Sequence, residues 1–351
     1  MPRIWAGVDI GKEHHHCVVL NDRGERLLSR RVLNDEGALL ELIRDVLDID
    51  QVVLFSTLSD RGRVPAVPSC LLEPLWDQFA ALLPARDEYA PTHPLGCHRR
   101  RVSDRVVFEH VVQALVHGSG YERVSSPGCS ARTIRRRVKR WAQMGISERL
   151  HALALQAYDR MIGLGLAEIS VDGCITKAPS GGEKAGRSPA DRGKQGLKRS
   201  VSSDAAGVPL GIVSAGADRH DSPLLGPTLQ ATKDQVGPLP DEVNVNLDRG
   251  YDSTKTRELL DGFGFTGEIA RKGVPAPIQA GKRWVVERTH SWMNGYGKLR
   301  RCTERDGEAV DFYLYLAAAF VTLRMLIRRA TSRYRWDDRP AASSDPFAGR
   351  S

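Results

Sequence analysis

Asp172, Asp248 and Glu287 are three carboxylates whose placement would let them share a pair of divalent cations. Asp172 closes a short apolar stretch, AEISVDG, that reads as a strand, and Asp248 closes a second, EVNVNLDRG. Glu287 lies within KRWVVERTHSWMNGYGKLR (282–300), which reads as one long helix. In open α/β sheets the carboxyl ends of strands line the functional crevice. Two aspartates there and a glutamate from a neighbouring helix offer the oxygen ligands that Mg²⁺ takes. Two such ions activate a water or a 3′-hydroxyl and steady the leaving oxygen of a phosphodiester. With 43 acidic residues in the chain, only their positions single these out. Two plainer readings stay open: Asp172-Gly173 as a simple turn, and Asp248-Arg249-Gly250 as a salt-bridged loop.

The elements that must position these acids follow from periodicity and turn chemistry. After the 167–173 strand, residues 196–216 form a hairpin turning at Asp204-Ala205-Ala206-Gly207. Residues 221–234 form a helix with Asp221 as N-cap. The 242–250 strand, a helix over 253–262, a strand over 265–270 and the Glu287 helix complete the region. The order is that of an α/β domain, for which a ribonuclease-H-like sheet is one of several options. Upstream, residues 71–165 carry helical spacing throughout. Residues 3–33 read as three strands, followed by a helix over 36–47 and a Pro- and Ser-bearing linker near 56–69. The expected division is 1–62, 63–165, 166–335 and a disordered tail, 336–351.

Cations cluster on one predicted helix. In SARTIRRRVKRWAQMG, Ser130 is a suitable N-cap. Arg132, Arg135, Arg136, Lys139 and Arg140 fall on one stripe with no acid between them, while Ile134, Val138 and Trp141 fall on another face. With the helix over 103–117 and the turn GSGYERVSSPGCS, this reads as a helix-turn-helix whose second helix enters a major groove. A solvated surface helix is the plainer alternative. The segment 177–199 is rich in Gly, Lys and Arg, and is either a flexible linker or a loop that orders on a phosphate backbone. Lys194, Lys198, Arg249, Arg283 and Lys298 are the other candidate DNA contacts.

Composition narrows the classes. The chain has 351 residues, with 51 Lys+Arg against 43 Asp+Glu and a net charge of +8. That is ordinary globular material biased towards polyanions. Its six cysteines (17, 70, 97, 129, 174, 302) form neither a CxxC pair nor a zinc quartet, which argues against a disulfide framework. His14-His15-His16 reads as a polar turn, because three adjacent imidazoles cannot face one ion on regular backbone. The start lacks the layout of a signal peptide. The apolar run 312–323 is short for a bilayer and reads as a buried helix. A cytoplasmic, nucleoid-associated protein with no membrane partner is expected.

Stretches carrying these residues resemble a known family. VPSCLLEPLW, THPLGCHRRR, SVDGCITKAP, DRGKQGLKRSVSSDAAGVPLGIVSAGADRHDSPLL, LDRGYDS and RWVVERTHSWMNGYGKLRRCTER are together similar to DDE-type insertion-sequence transposases of the IS-five superfamily, from about residue 64 to 340. The resemblance implies a ribonuclease-H-like catalytic fold, a mixed sheet with flanking helices. It also implies Asp172, Asp248 and Glu287 as the catalytic and metal-holding triad, with two Mg²⁺ or Mn²⁺ ions. The implied reaction is cleavage at transposon ends followed by strand transfer to target DNA, carried out by a homodimer or higher synaptic assembly on terminal inverted repeats. His220-Asp221-Ser222 matches a family motif near the site. The family pattern around the third acid is Tyr, two residues, Arg, three residues, Glu, six residues, Lys. Arg283 and Glu287 fit it, but Ala280 replaces Tyr and Asn294 replaces Lys, with Lys298 one turn further on.

The first 48 residues are different. GVDIGKEHHHCVVLNDRGERLLSRRVLNDE resembles the start of DEDD-type transposases, with Asp9 at that family's first acid. The remaining acids of that class are missing, which implies one mobile element fused into another, with Asp9 a remnant. Two alternatives accompany the transposase reading: a catalytically silent DNA-binding protein or transposition inhibitor, and a structure-selective nuclease using Asp9.

Overall fold

The computed structural model describes residues 5–10, 14–20, 25–33, 35, 38, 41, 66–84, 101–270 and 284–333. The chain divides into two compact units, 1–64 and 65–351.

In the first unit, β1 (Trp5–Ile10), β2 (His14–Leu20) and β3 (Arg26–Leu33) make an antiparallel meander. The three histidines are not a turn. They begin β2, with His16 opposite Asp9 and His15 opposite Ile10. Pairing on both sides of β2 overrides their weak strand propensity. Most of the expected helix over 36–47 lies outside the described residues, as does the 336–351 tail.

The second unit opens with helices α1 (Ser69–Leu82), α2 (Asp104–His117), α3 (Tyr121–Val124), α4 (Ala131–Gln143) and α5 (Ile146–Met161). Ser103 and Ser130 cap α2 and α4 by accepting from the backbone N–H groups of Val106 and Thr133. The expected turn between α2 and α4 contains the short α3. A six-stranded mixed sheet follows: β4 (Glu168–Lys177), β5 (Gly186–Arg187), β6 (Gln195–Ser203), β7 (Pro209–Gly216), β8 (Asn244–Leu247) and β9 (Thr266–Ile269). From β7 the strand order runs β7-β6-β4-β8-β9. The first three are antiparallel, and β4, β8 and β9 are parallel. This is the ribonuclease-H-like arrangement, with β5 pairing the far end of β6. Helices α6 (Ser222–Val236), α7 (Thr254–Phe263), α8 (Trp284–Asn294), α9 (Gly297–Arg300) and α10 (Gly307–Arg333) flank it.

Two departures from the sequence reading matter for the site. β4 does not stop at Asp172-Gly173; it runs on to Lys177 because β6 keeps pairing it, Asp172 with Val201 and Lys177 with Gly196. The helix expected over 282–300 is broken after Asn294: Tyr296 is extended, with φ −90° and ψ 121°, and α9 restarts at Gly297. That break lets Gly297 meet Gly118, the left-handed C-cap of α2 (φ 67°), backbone to backbone. A β-carbon on Gly118 would lie 2.7 Å from the Gly297 carbonyl carbon.

α10 is 27 residues long and apolar enough by length and composition to cross a membrane, yet most of its apolar stretch is buried inside this unit. Phe312 packs on Trp141 of α4, which packs in turn on Phe79 of α1 and through it on Phe108 of α2. The helical segment and the central helix of the catalytic region thus share one apolar cluster. A second cluster lies between the sheet and α5–α6, around Ile169, Val171, Leu225, Leu229 and Val245.

Candidate active site

Asp172 and Asp248 are brought together by strand register. β4 and β8 pair in parallel, with Ser170 opposite Asn246, so the two aspartates stand level two residues further on. β8 ends at Leu247, and the chain turns through a short 3-10 segment, Arg249–Tyr251, in which Asp248 accepts from the Gly250 N–H. Asp172 accepts from the N–H of Gly173 at 2.8 Å. Glu287 is exposed on the first turn of α8, which packs across β4 and β6.

Asp172 feels the charge of the other two acids. Burial pushes the Asp172 carboxyl up to about 7, against the lowering pull of the Gly173 N–H. The negative charges of Asp248, Asp221 and Glu287 push it the same way. Burial and the same Asp221, Asp172 and Asp248 charges raise the nearby Tyr251 phenol. Asp221 is thus a further carboxylate whose charge reaches Asp172, from the Gly173 face of β4. It stands at the N-cap position of α6, but its side chain caps nothing; it pairs instead with Lys198 at 3.0 Å. Gly173 is what admits it, since a β-carbon there would collide with the Asp221 carboxylate.

Among the described residues, no three His, Cys, Asp or Glu side chains are gathered closely enough to hold an ion as they stand. The donor chemistry nonetheless suits Mg²⁺ or Mn²⁺: carboxylate oxygens only, none of the triad ion-paired among the described residues. Their mutual repulsion is of the kind a dication reverses.

The predicted DNA contacts divide. Lys194 and Arg249 are exposed. Lys198 and Lys298 are not surface cations: they are 5% and 4% exposed, paired with Asp221 and Glu304. Lys198 faces inward because the alternation of β6 turns it towards α6, and Lys298 is sandwiched between the rings of Tyr121 and Tyr313 at 4.9 and 5.2 Å. Arg283 lies outside the described residues. All five stripe residues of α4 are exposed, and Ile134, Val138 and Trp141 are buried. Acids from outside the helix neutralise part of the stripe: Glu122 pairs with Arg135 at 2.7 Å and Asp306 with Lys139 at 3.1 Å. Arg132, Arg136 and Arg140 have no ion partner among the described residues. Arg137, on the inward side, pairs with Asp104.

Two further residues went unmarked in the sequence. His290, one turn beyond Glu287, is 5% exposed and lies 3.3 Å from the Asp172 carbonyl through Nε2. Burial, and then the Arg199 charge, hold its imidazole down at about 3. Arg199, 1% exposed, donates to His290 from β6. The spacing of His290 from Glu287 was a readable signal; the strand pairing that brings Arg199 there was not.

Family models match three stretches of the chain. The family model "Transposase DDE domain" matches residues 165–323, and "Putative transposase of IS4/5 family" matches 71–151. A transposase model for DEDD enzymes of the IS110 type matches 6–73. The chain is 35% identical over 153 residues to "Putative transposase for insertion sequence element IS402" of Burkholderia cepacia, covering 42% of this chain and 72% of that protein. It is 54% identical over 61 residues to an uncharacterized 42 kDa protein of insertion element IS900 of Mycobacterium paratuberculosis, covering 17% of this chain and only 13% of that one. The solved Mos1 mariner paired-end complex with Mn aligns over 84% of this chain and 92% of that chain at 10% identity and a TM-score of 0.28, too distant to carry an argument.

Proposed function

The chain belongs to the DDE-domain insertion-sequence transposases of the IS4/5 family, with a fused N-terminal DEDD-type fragment, and from that premise we propose that Asp172, Asp248 and Glu287 hold two Mg²⁺ or Mn²⁺ ions for its DNA cutting and joining. The observation that carries this is placement: parallel β4 and β8 set Asp172 and Asp248 level and α8, packed on β4 and β6, bears Glu287, although 76 and 115 residues separate these two from Asp172 in sequence. Bound there, the ions would activate a water or a 3′-hydroxyl and stabilise the leaving oxygen. The chain's own part is orientation. β4 and β8 hold Asp172 and Asp248 level, the Gly173 and Gly250 N–H groups fix their rotamers, and α8 brings Glu287 across the sheet.

DNA is the substrate and partner: terminal inverted repeats first, then target DNA, engaged by a homodimer or larger synaptic assembly at the nucleoid. Arg132, Arg136 and Arg140 are the cations of α4 most available to phosphates, with Arg249 exposed next to Asp248 and Lys194 exposed ahead of β6. Such contacts make affinity fall with salt. The test uses purified full chain and labelled DNA bearing the element's ends. Metal-dependent nicking at the ends is expected, lost to background in Asp172→Asn, Asp248→Asn and Glu287→Gln while the salt-sensitive mobility shift persists. Nicking that survives all three substitutions would remove the triad from the reaction.

A further inference from the structure

We propose that Arg199 and His290 are positioning residues that fix the spacing between Asp172 on β4 and Glu287 on α8. The inference rests on the assignment of those two acids to the metal site.

Arg199 crosses from β6 to α8 behind the acids. It is paired in register with Cys174, two residues beyond Asp172 and on the same face of β4. Its guanidinium has no carboxylate partner among the described residues. Nε donates to His290 Nδ1 at 3.3 Å, and Nη2 donates to the His290 carbonyl at 3.3 Å, to Asn294 Oδ1 at 2.7 Å and to Cys174 Sγ at 3.6 Å. Nη1 is buried with no hydrogen-bond partner among the described residues. A ring nitrogen that accepts from a guanidinium carries no proton, so the hydrogen of His290 sits on Nε2 and is donated to the Asp172 carbonyl, 3.3 Å away. The result is a continuous tie: Asn294 and the α8 backbone to Arg199, Arg199 to His290, His290 to the backbone of Asp172.

The tie acts from His290 to the C-terminal end of α8, and a second set of bonds leaves the middle of the helix for the turn between β6 and β7. Arg288 Nη2 donates to the Ala206 carbonyl at 2.7 Å, and Thr289 Oγ1 donates to the Gly207 carbonyl at 2.8 Å. Residues 288, 289, 290 and 294, which follow Glu287 on the helix, are thus tied to β6, to the turn after it and to the backbone of Asp172. If filling space were the whole task, an apolar side chain of the same length would do it without burying a charge that lacks a counter-ion. Three of the four acceptors Arg199 reaches belong to α8, which is the pattern of a residue that orients a helix. Partners behind metal-holding side chains govern how tightly the metal is held.

The test is Mn²⁺ binding to the full chain without DNA, read from the electron paramagnetic resonance signal of free Mn²⁺, alongside thermal melting and end cleavage. Arg199→Met should melt at or above the wild-type temperature yet bind Mn²⁺ about tenfold more weakly, with cleavage partly restored by excess metal. His290→Gln retains one acceptor and one donor and should stay closer to wild type than His290→Leu. Wild-type Mn²⁺ affinity in a folded Arg199→Met, or equal behaviour of the Gln and Leu variants, overturns the proposal. If Arg199→Met does not fold, the two His290 variants decide alone. Asp172→Asn separates the two readings: unchanged Mn²⁺ binding there defeats the triad itself, whereas its loss alongside a neutral Arg199→Met defeats only the positioning role.

Discussion

Asp221 and Lys198 form an ion pair at 3.0 Å on the face of β4 opposite to Asp172, with the Asp221 carboxylate in the space left by the missing side chain of Gly173. The Asp221 charge reaches Asp172 across the strand and raises its carboxyl, while the buried Lys198 ammonium is the counter-ion of Asp221. Lys198 therefore serves the interior of the fold, and a nucleic-acid backbone cannot reach it without breaking the pair.

This gives a first prediction. Lys198→Met should destabilise the fold by about 1–3 kcal/mol, because a partly buried carboxylate loses its partner. The salt dependence of DNA binding should stay unchanged. Arg136→Ala should do the reverse, with little effect on melting and a slope of log affinity against log salt shallower by about 0.9. Arg135→Ala and Lys139→Ala should change the slope less, since Glu122 and Asp306 already engage those cations. Salt titrations of binding to end-containing DNA, run with chemical denaturation, check all four.

The second prediction follows from the Asp172 carboxyl, raised from 3.8 to about 7 chiefly by burial. A carboxyl whose folded value lies above its unfolded value favours folding fully only below the unfolded one. That advantage is lost as pH climbs through the folded value. Without metal, Asp172→Asn should therefore match wild type near pH 4 and exceed it at pH 8. The shift sets a ceiling of about 4 kcal/mol, and water reaching this half-buried group should reduce the gain to about 1–2 kcal/mol. Melting curves at the two pH values test it. A gain at pH 4 that vanishes at pH 8 would reverse the sign and refute a carboxyl raised by burial.

The third concerns the glycine contact that lets the helical segment close on the catalytic region. Gly118 combines a left-handed φ of 67° with backbone of Gly297 where a side chain would stand. Gly118→Ala should cost about 2–4 kcal/mol, the sum of the left-handed penalty and a clash that neither backbone can relieve cheaply. Gly163, with φ 94° and nothing within 4 Å, isolates the first contribution, so Gly163→Ala should cost about 1–2 kcal/mol. Equal losses at the two positions would show that the Gly297 contact adds nothing.

How far the sequence alone reached can be judged from the same residues. The cap at Ser130, the apolar face Ile134–Val138–Trp141 and the hairpin turn at 204–207 are local features, and each stands where periodicity and turn chemistry put it. The strand that ends just before Asp248 and the helix that carries Glu287 were legible from periodicity. Lys198 and Lys298 were misassigned because a lysine's exposure depends on elements far away in sequence, here α6 for one and Tyr121 and Tyr313 for the other. The continuation of β4 past Asp172 was hidden for a like reason: an Asp-Gly pair reads as a turn unless a second strand is known to run alongside. Arg199 was invisible because its partners are about 25 residues back and over 90 residues ahead.

The last prediction concerns the fused N-terminus. Residues 1–64 form their own compact unit, whose three described strands pair only with one another. Asp9 lies on β1, opposite His16 on β2, and the partner acids of a DEDD site are missing from the sequence. The acids proposed for the DDE site come from β4, from the end of β8 and from α8, within the second unit. Asp9→Ala should therefore leave metal-dependent nicking at the element's ends within about twofold of wild type, since a residue outside the reacting constellation has no transition-state interaction to lose. A chain beginning at residue 65 should keep both its cooperative melt and its cleavage. Loss of nicking in Asp9→Ala at unchanged melting temperature would assign the N-terminal strands a chemical role and restore the nuclease reading of Asp9.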